Sequence, residues 1–187
     1  MIIDYTYFTE KLRLPQVDNT EGRAIVSEFI DTYETEYLKK VLGYDLWKAF
    51  SDGIAGSGTP DQRWVDLLEG LEFTYLEKNN NWNGFEHEQN PIANYIYYRY
   101  MENKATDNSL VGTVVQAVDN NQRVNAVSKM VSAWNSMVDM NRILLQFLKA
   151  NASVYPEWDD NGYGYWYYNT LTDCSNELFE KKNSLDL

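Results

Sequence analysis

One cysteine and one histidine stand in a chain of 187 residues, and these two scarcities exclude a good deal. A lone thiol, Cys174, cannot close a disulfide within the chain, and a reducing compartment is the simple reading. A lone imidazole, His87, cannot build a Cys/His metal site with Cys174 at any workable spacing, and every histidine-based triad would have to run through it. It lies in Glu86-His87-Glu88 beside turn formers, where a surface histidine is expected. Cys174, in Thr-Asp-Cys-Ser, carries no partner motif of a cysteine hydrolase. Phosphate-cradling glycines are missing too: Gly53, Gly56 and Gly58 lead into Thr59-Pro60 without a lysine, so neither a Walker loop nor a dinucleotide fingerprint is present. No run approaches the roughly 20 apolar residues of a membrane span, and the first residues lack a basic, then apolar, leader pattern. The expectation is a non-enzymatic protein of the cytoplasm, with no catalytic residues, no cofactor, no metal and no membrane partner.

Positive charge is also in short supply. Against 28 acidic residues stand 16 lysines and arginines, a formal charge of −12, so the free chain is repelled by nucleic acid and by anionic membranes. The deficit is uneven: 18 acids face 10 bases over residues 1 to 105, 3 face 4 over 106 to 153, and 7 face 2 over 154 to 187. The near-neutral middle is the better interface candidate. Carboxylates are too many for any pair to stand out, and Asp159-Asp160 and Glu34 with Glu36 read as solvated faces. Asp159-Asp160-Asn161-Gly162 hints at a cation loop but lacks its spaced ligands and distal Glu.

What the chain has in abundance is rings: 15 Tyr, 7 Phe and 6 Trp, 15% of all residues. Such side chains fill cores, and they also favour interfaces where one end stays wet. Their placement, with the aliphatic spacing, predicts a mainly α-helical fold. From Thr20, Ile25, Val26, Phe29, Ile30, Tyr33, Tyr37, Val41 and Leu42 recur at three and four and mark a helix that should stop at Gly43. A short second helix carries Leu46, Trp47 and Phe50. Thr59-Pro60-Asp61-Gln62 reads as a capping box opening a third, with Trp64, Leu67, Leu68 and Leu71 facing in. Asn79 to Gly84 is dense in turn formers, so 72 to 90 is expected to be a loop or small hairpin. Asn90 caps a helix begun by Pro91.

The strongest periodicity lies in residues 123 to 149. One stripe runs through Val124, Val127, Val131, Trp134, Val138, Leu145 and Leu148, broken at Asn141; a second runs beside it through Ala126, Met130, Ala133, Met137, Met140, Leu144 and Phe147. A helix with so broad an apolar face must be covered on more than one side. The predicted architecture is therefore a helical bundle around one long central helix. Two stretches break the helical pattern. Residues 106 to 122, with the β-branched run Val111, Val114 and Val115, read as an extended arm or hairpin. From 154 onward the chain is acidic, aromatic and glycine-spaced, and reads as a docking arm anchored by Trp158, Tyr163, Tyr165 and Trp166. Residues 1–153 would then form the helical domain and 154–187 the arm.

The run from Tyr37 through Lys39-Lys40-Val41-Leu42-Gly43-Tyr44-Asp45-Leu46 to Trp47 resembles the leucine-glycine then apolar-aromatic hinge of head-to-tail connector (adaptor) proteins of tailed bacteriophages. Trp82-Asn83-Gly84-Phe85, the tyrosine-rich Tyr95 to Tyr100, Val111-Gly112-Thr113-Val114 and the long helix ending near Asn151 are similar to connectors of crAss-like phages of gut Bacteroidales. The resemblance covers most of the chain through short apolar motifs. It implies a structural virion protein: a homo-oligomeric ring of twelve copies at the head-tail junction, docked on the portal protein and on a tail-side connector, with genomic DNA passing through the lumen without specific binding. It brings no catalytic residues. The rival reading is a monomeric adaptor or glycan-binding module that stacks sugars on the C-terminal rings. Stoichiometry separates the two, because a ring protein cannot act alone.

Overall fold

A computed structural model describes residues 1–14, 17–56, 58–106, 120–159 and 177–183, with the backbone alone at 105–106 and 120–125. The described residues form a mainly helical body with five α-helices and one antiparallel hairpin. Helix α1 spans Thr20–Leu42. Its cap is Asn19, whose Oδ1 accepts from the Gly22 N–H at 2.6 Å. It stops where expected: Gly43 takes φ +80°, a value side chains disfavour, and the chain turns straight into α2, Tyr44–Ala55. The buried stripe of α1 is Val26, Ile30, Glu34, Tyr37 and Val41, so an acid occupies one core-facing rung.

Helix α3, Gln62–Glu69, starts later than the capping box predicted. The backbone carbonyl of Asp61 accepts from Trp64 and Val65, and no side chain caps the end, so Thr59 has no capping role. Trp64 and Leu67 are buried as expected, but Leu71 is 41% exposed because Gly70, at φ +97°, ends the helix and redirects the chain into strand β1. Strands β1 (Leu71–Tyr75) and β2 (Lys78–Trp82) pair antiparallel, from Leu71 opposite Trp82 to Tyr75 opposite Lys78. Their two-residue turn is Leu76-Glu77, both at positive φ (+48° and +62°). That is the signature of a turn favouring Asn-Gly, and a β-carbon there costs about 1–2 kcal/mol per residue.

The root of the hairpin is held tightly. A β-carbon on Gly84 would lie 2.2 Å from the Leu68 carbonyl oxygen, and one on Gly70 would lie 2.2 Å from that of Trp82, so the two backbones touch. Phe85 and Glu86 N–H groups donate to the Leu67 and Leu68 carbonyls at 3.1 and 2.8 Å, and the Trp82 indole donates to the Leu67 carbonyl at 3.2 Å. Phe73 meets Phe147 edge-on at 5.5 Å, which seats the sheet on the last long helix.

Helix α4, Pro91–Thr106, is capped as predicted, with Asn90 Oδ1 accepting from the Ala93 N–H at 2.8 Å. It is the most enclosed element: Ile92, Ala93, Tyr95, Ile96, Tyr97, Tyr98 and Tyr100 are all at 2% exposure or less. It packs against α1 and against α5, Asn120–Ala150, the longest helix. Helix α5 is covered by α4, by the hairpin and by a C-terminal turn at Glu177–Phe179, which explains its wide apolar face. Both stripes contribute: Met130, Ala133, Met137, Leu144 and Phe147 are buried together with Trp134, Val138 and Leu148.

Two predicted boundaries change. Thr106 still belongs to α4 and residues 120 to 122 already belong to α5, so helix trims the expected arm at both ends; residues 107–119 lie outside the described residues. The division at 153/154 is not a structural boundary among the described residues. Tyr155, Trp158, Leu178 and Phe179 are all buried at 6% exposure or less in the chain's own core. Tyr155 Oη donates to the Arg63 carbonyl at 2.8 Å, and the Trp134 indole donates to the Glu180 carbonyl at 2.7 Å. Large rings near a helical body gain most by packing on it, and these do.

Candidate functional site

The hinge Tyr37–Trp47 becomes a corner between α1 and α2. Tyr37, Leu38, Val41, Leu42 and Leu46 turn inward and are buried at 4% exposure or less. Tyr44, which begins α2 just past Gly43, does the opposite, at 64% exposure. Trp47, half-buried one turn on, lies 5.7 Å from the Tyr44 ring, and Lys39 Nζ sits 4.2 Å from the Trp47 centroid. The corner therefore shows solvent two adjacent rings with an ammonium over one of them, a grouping suited to a protein contact.

Beside it an ionic cluster ties α1 to α4 and to the C-terminal turn. Glu36 receives Lys40 Nζ at 2.7 Å and the Tyr95 hydroxyl at 3.0 Å. Arg99 donates through Nε to the Tyr95 hydroxyl at 3.0 Å, and through its two terminal nitrogens to Glu102 at 2.9 Å and Glu177 at 3.2 Å. Burial works to raise the Glu36 pKa, but the bonds from Lys40 and Tyr95 and the charges of Lys40 and Arg99 outweigh it and hold the carboxyl below its ordinary value. Burial likewise opposes the charge on Lys40, and the bond to Glu36 overrides it, so the ammonium is held above its ordinary value. Tyr95 is pushed up by burial despite Arg99 beside it. These groups satisfy one another across three elements, which makes the cluster a clamp.

Of the residues predicted at an interface, Trp158 alone lies within the described residues; Val111, Val114, Val115, Tyr163, Tyr165 and Trp166 lie outside them, as does Cys174. Trp158 is 6% exposed, with its backbone N–H donating to the Tyr155 carbonyl at 3.0 Å. That corrects its assignment as a ring offered to a partner, and it also removes Trp158 as a platform for sugar stacking. His87 is exposed as expected, its Nδ1 accepting from the Gln89 N–H at 3.2 Å. The reading of Glu34 as a solvated face is overturned. At 7% exposure it accepts the Ile2 and Ile3 N–H groups at 2.9 and 3.1 Å, because it stands on the buried stripe of α1.

Two exposed positions escaped the sequence: Tyr44 and Leu76, the latter at 76% exposure on the hairpin tip. The outward face of the hairpin is polar, with Glu72, Thr74, Asn79 and Asn81 along a shallow depression of about 550 Å³. Among the described residues no three His, Cys, Asp or Glu side chains come together as metal ligands, and no helix is long and apolar enough to cross a membrane. No protein family, curated protein or solved structure matches the chain.

Proposed function

We propose that this chain is a structural subunit of the head-to-tail connector of a tailed bacteriophage, working as one of twelve copies in a ring between portal and tail. The observation that carries the reading is the Tyr37–Trp47 segment. Its sequence resembles the connector hinge, and it forms a sharp helix corner that leaves Tyr44 and Trp47 facing solvent beside Lys39. A body whose helices, hairpin and C-terminal turn share one core suits a part that bears load within an assembly, and the clamp centred on Arg99 locks three of those elements together.

The charge suits the same role. A subunit at −12 lining a channel repels the phosphate backbone, so DNA can slide without being gripped. The portal protein and a tail-side connector are the proposed neighbours, the head-tail junction of the virion the proposed location, and the host cytoplasm the place of assembly. Electron images of the purified full chain test this reading. Annular particles with a central channel support it, and a uniform field of particles the size of one 21.9 kDa chain counts against it.

A further inference from the structure

We infer that the tip of the β1–β2 hairpin docks on the α1–α2 corner of a second copy of this chain, with Leu76 seated against Tyr44 and Trp47. The inference rests on the ring reading and supplies it with a subunit contact. Two unfavourable features coincide at the tip. Leu76 is 76% exposed, more than any other large apolar side chain described, and both Leu76 and Glu77 hold positive φ. Neither feature is needed to close the turn: Asn-Gly would make the same two-residue connection with less strain and no aliphatic group in water. Strain together with exposure at one place points to a use for that side chain.

The tip is also preformed. Its strands are rooted by the Gly70 and Gly84 backbone contact, by the Trp82 indole on the Leu67 carbonyl and by Phe73 against Phe147. Little ordering remains to be done on docking, which is what an anchor needs. The complementary surface is on the same chain. Apart from Met1, the next most exposed large apolar side chain is Tyr44, at 64%, adjoining Trp47 with Lys39 over its ring. Leu76 is followed by Glu77, and both Glu77 and Lys39 are exposed, so an aliphatic group beside a carboxylate meets rings beside an ammonium. Both patches are exposed within one chain, so the tip does not rest on its own corner. A contact between two different patches is heterologous, the kind from which a ring is built when its rotation closes.

The test uses three full-length proteins: wild type, the double variant Leu76→Asn, Glu77→Gly, and Tyr44→Ala. Sedimentation reads their assembly, and thermal melting at high dilution reads the single chain. The tip variant should melt higher than wild type, because strain is relieved, and yet associate at least tenfold more weakly. Tyr44→Ala should also fail to associate. Mixing the two variants restores one intact contact per pair, a sound tip from one and a sound corner from the other, so a dimer forms that cannot grow. A tip variant that assembles as wild type does overturns the inference and leaves the ring reading standing. So does a mixture that gives no dimer. Wild type that stays a single chain throughout overturns both. Should the tip variant melt lower, Glu77→Lys keeps the turn's backbone demands and sets like charge against Lys39; assembly undiminished in that variant overturns the inference.

Discussion

The hydroxyl of Tyr37, on α1, donates to Oδ1 of Asn141, on α5, and the Asn141 amide donates in turn to the Leu178 carbonyl at 2.8 Å. Tyr37, Asn141 and Leu178 are all fully buried. A polar thread through an otherwise apolar core fixes the register of two helices and a C-terminal turn, since any slip would strand buried polar groups. Tyr37→Phe should cost about 1–3 kcal/mol. Asn141→Leu should cost more, because it takes a partner from both the Tyr37 hydroxyl and the Leu178 carbonyl. The double variant should fall short of the sum of the two, as urea unfolding of all four proteins would show. Strict additivity would mean that the two side chains act independently.

The Glu36 clamp predicts an acid limb. Its carboxyl titrates below the ordinary value of 4.5 in the folded chain, so folding favours the ionised form. The stabilisation is therefore present above that value and is lost as pH falls through the lower, folded one. Glu36→Gln should flatten the dependence: between about pH 6 and about pH 3, wild type should lose more stability than the variant. Equal losses would place the acid sensitivity elsewhere.

Gly84→Ala should loosen the hairpin root, since the new methyl meets the Leu68 carbonyl at a positive φ of 90°. A cost of about 2 kcal/mol or more is expected, from left-handed strain together with overlap. Hydrogen exchange should speed up in β1 and β2 before it does in α4.

Trp158→Ala should destabilise the free chain by about 3–5 kcal/mol, as truncation of a core tryptophan does. A melting temperature unchanged from wild type would return Trp158 to the role of an external anchor.

Much of the fold could be read in advance because the signals were local. The stripe of α1, its stop at Gly43, the Asn90 cap and the doubled stripe of α5 each depend on spacing or on one residue's conformational preference. The failures were tertiary. The small hairpin expected within residues 72 to 90 is present, but spacing did not place its second strand: Lys78-Asn79-Asn80-Asn81 has the composition of a turn and forms β2 because β1 and the Gly70–Gly84 root impose the pairing. Glu34 looked like one more acid on an acidic helix, although Ile30, Glu34, Tyr37 and Val41 keep the core spacing; its partners are backbone N–H groups some thirty positions away, which leave no trace in the sequence. Asn141 looked like a flaw in a stripe and is instead the link to Tyr37. The exposure of Tyr44 and Leu76 depends on how whole elements turn, which spacing does not report. The candidate site was legible only in part: the hinge was singled out by resemblance, while its outward rings and the hairpin tip emerged from the fold.

Native mass measurement of the full chain across a wide concentration range tests the central claim most directly. The account predicts a discrete closed species at twelve times 21.9 kDa, with few intermediates, because a heterologous contact that closes on itself stops at a fixed number. A mass of one chain at every concentration, or a continuum of sizes without a closed species, would contradict it.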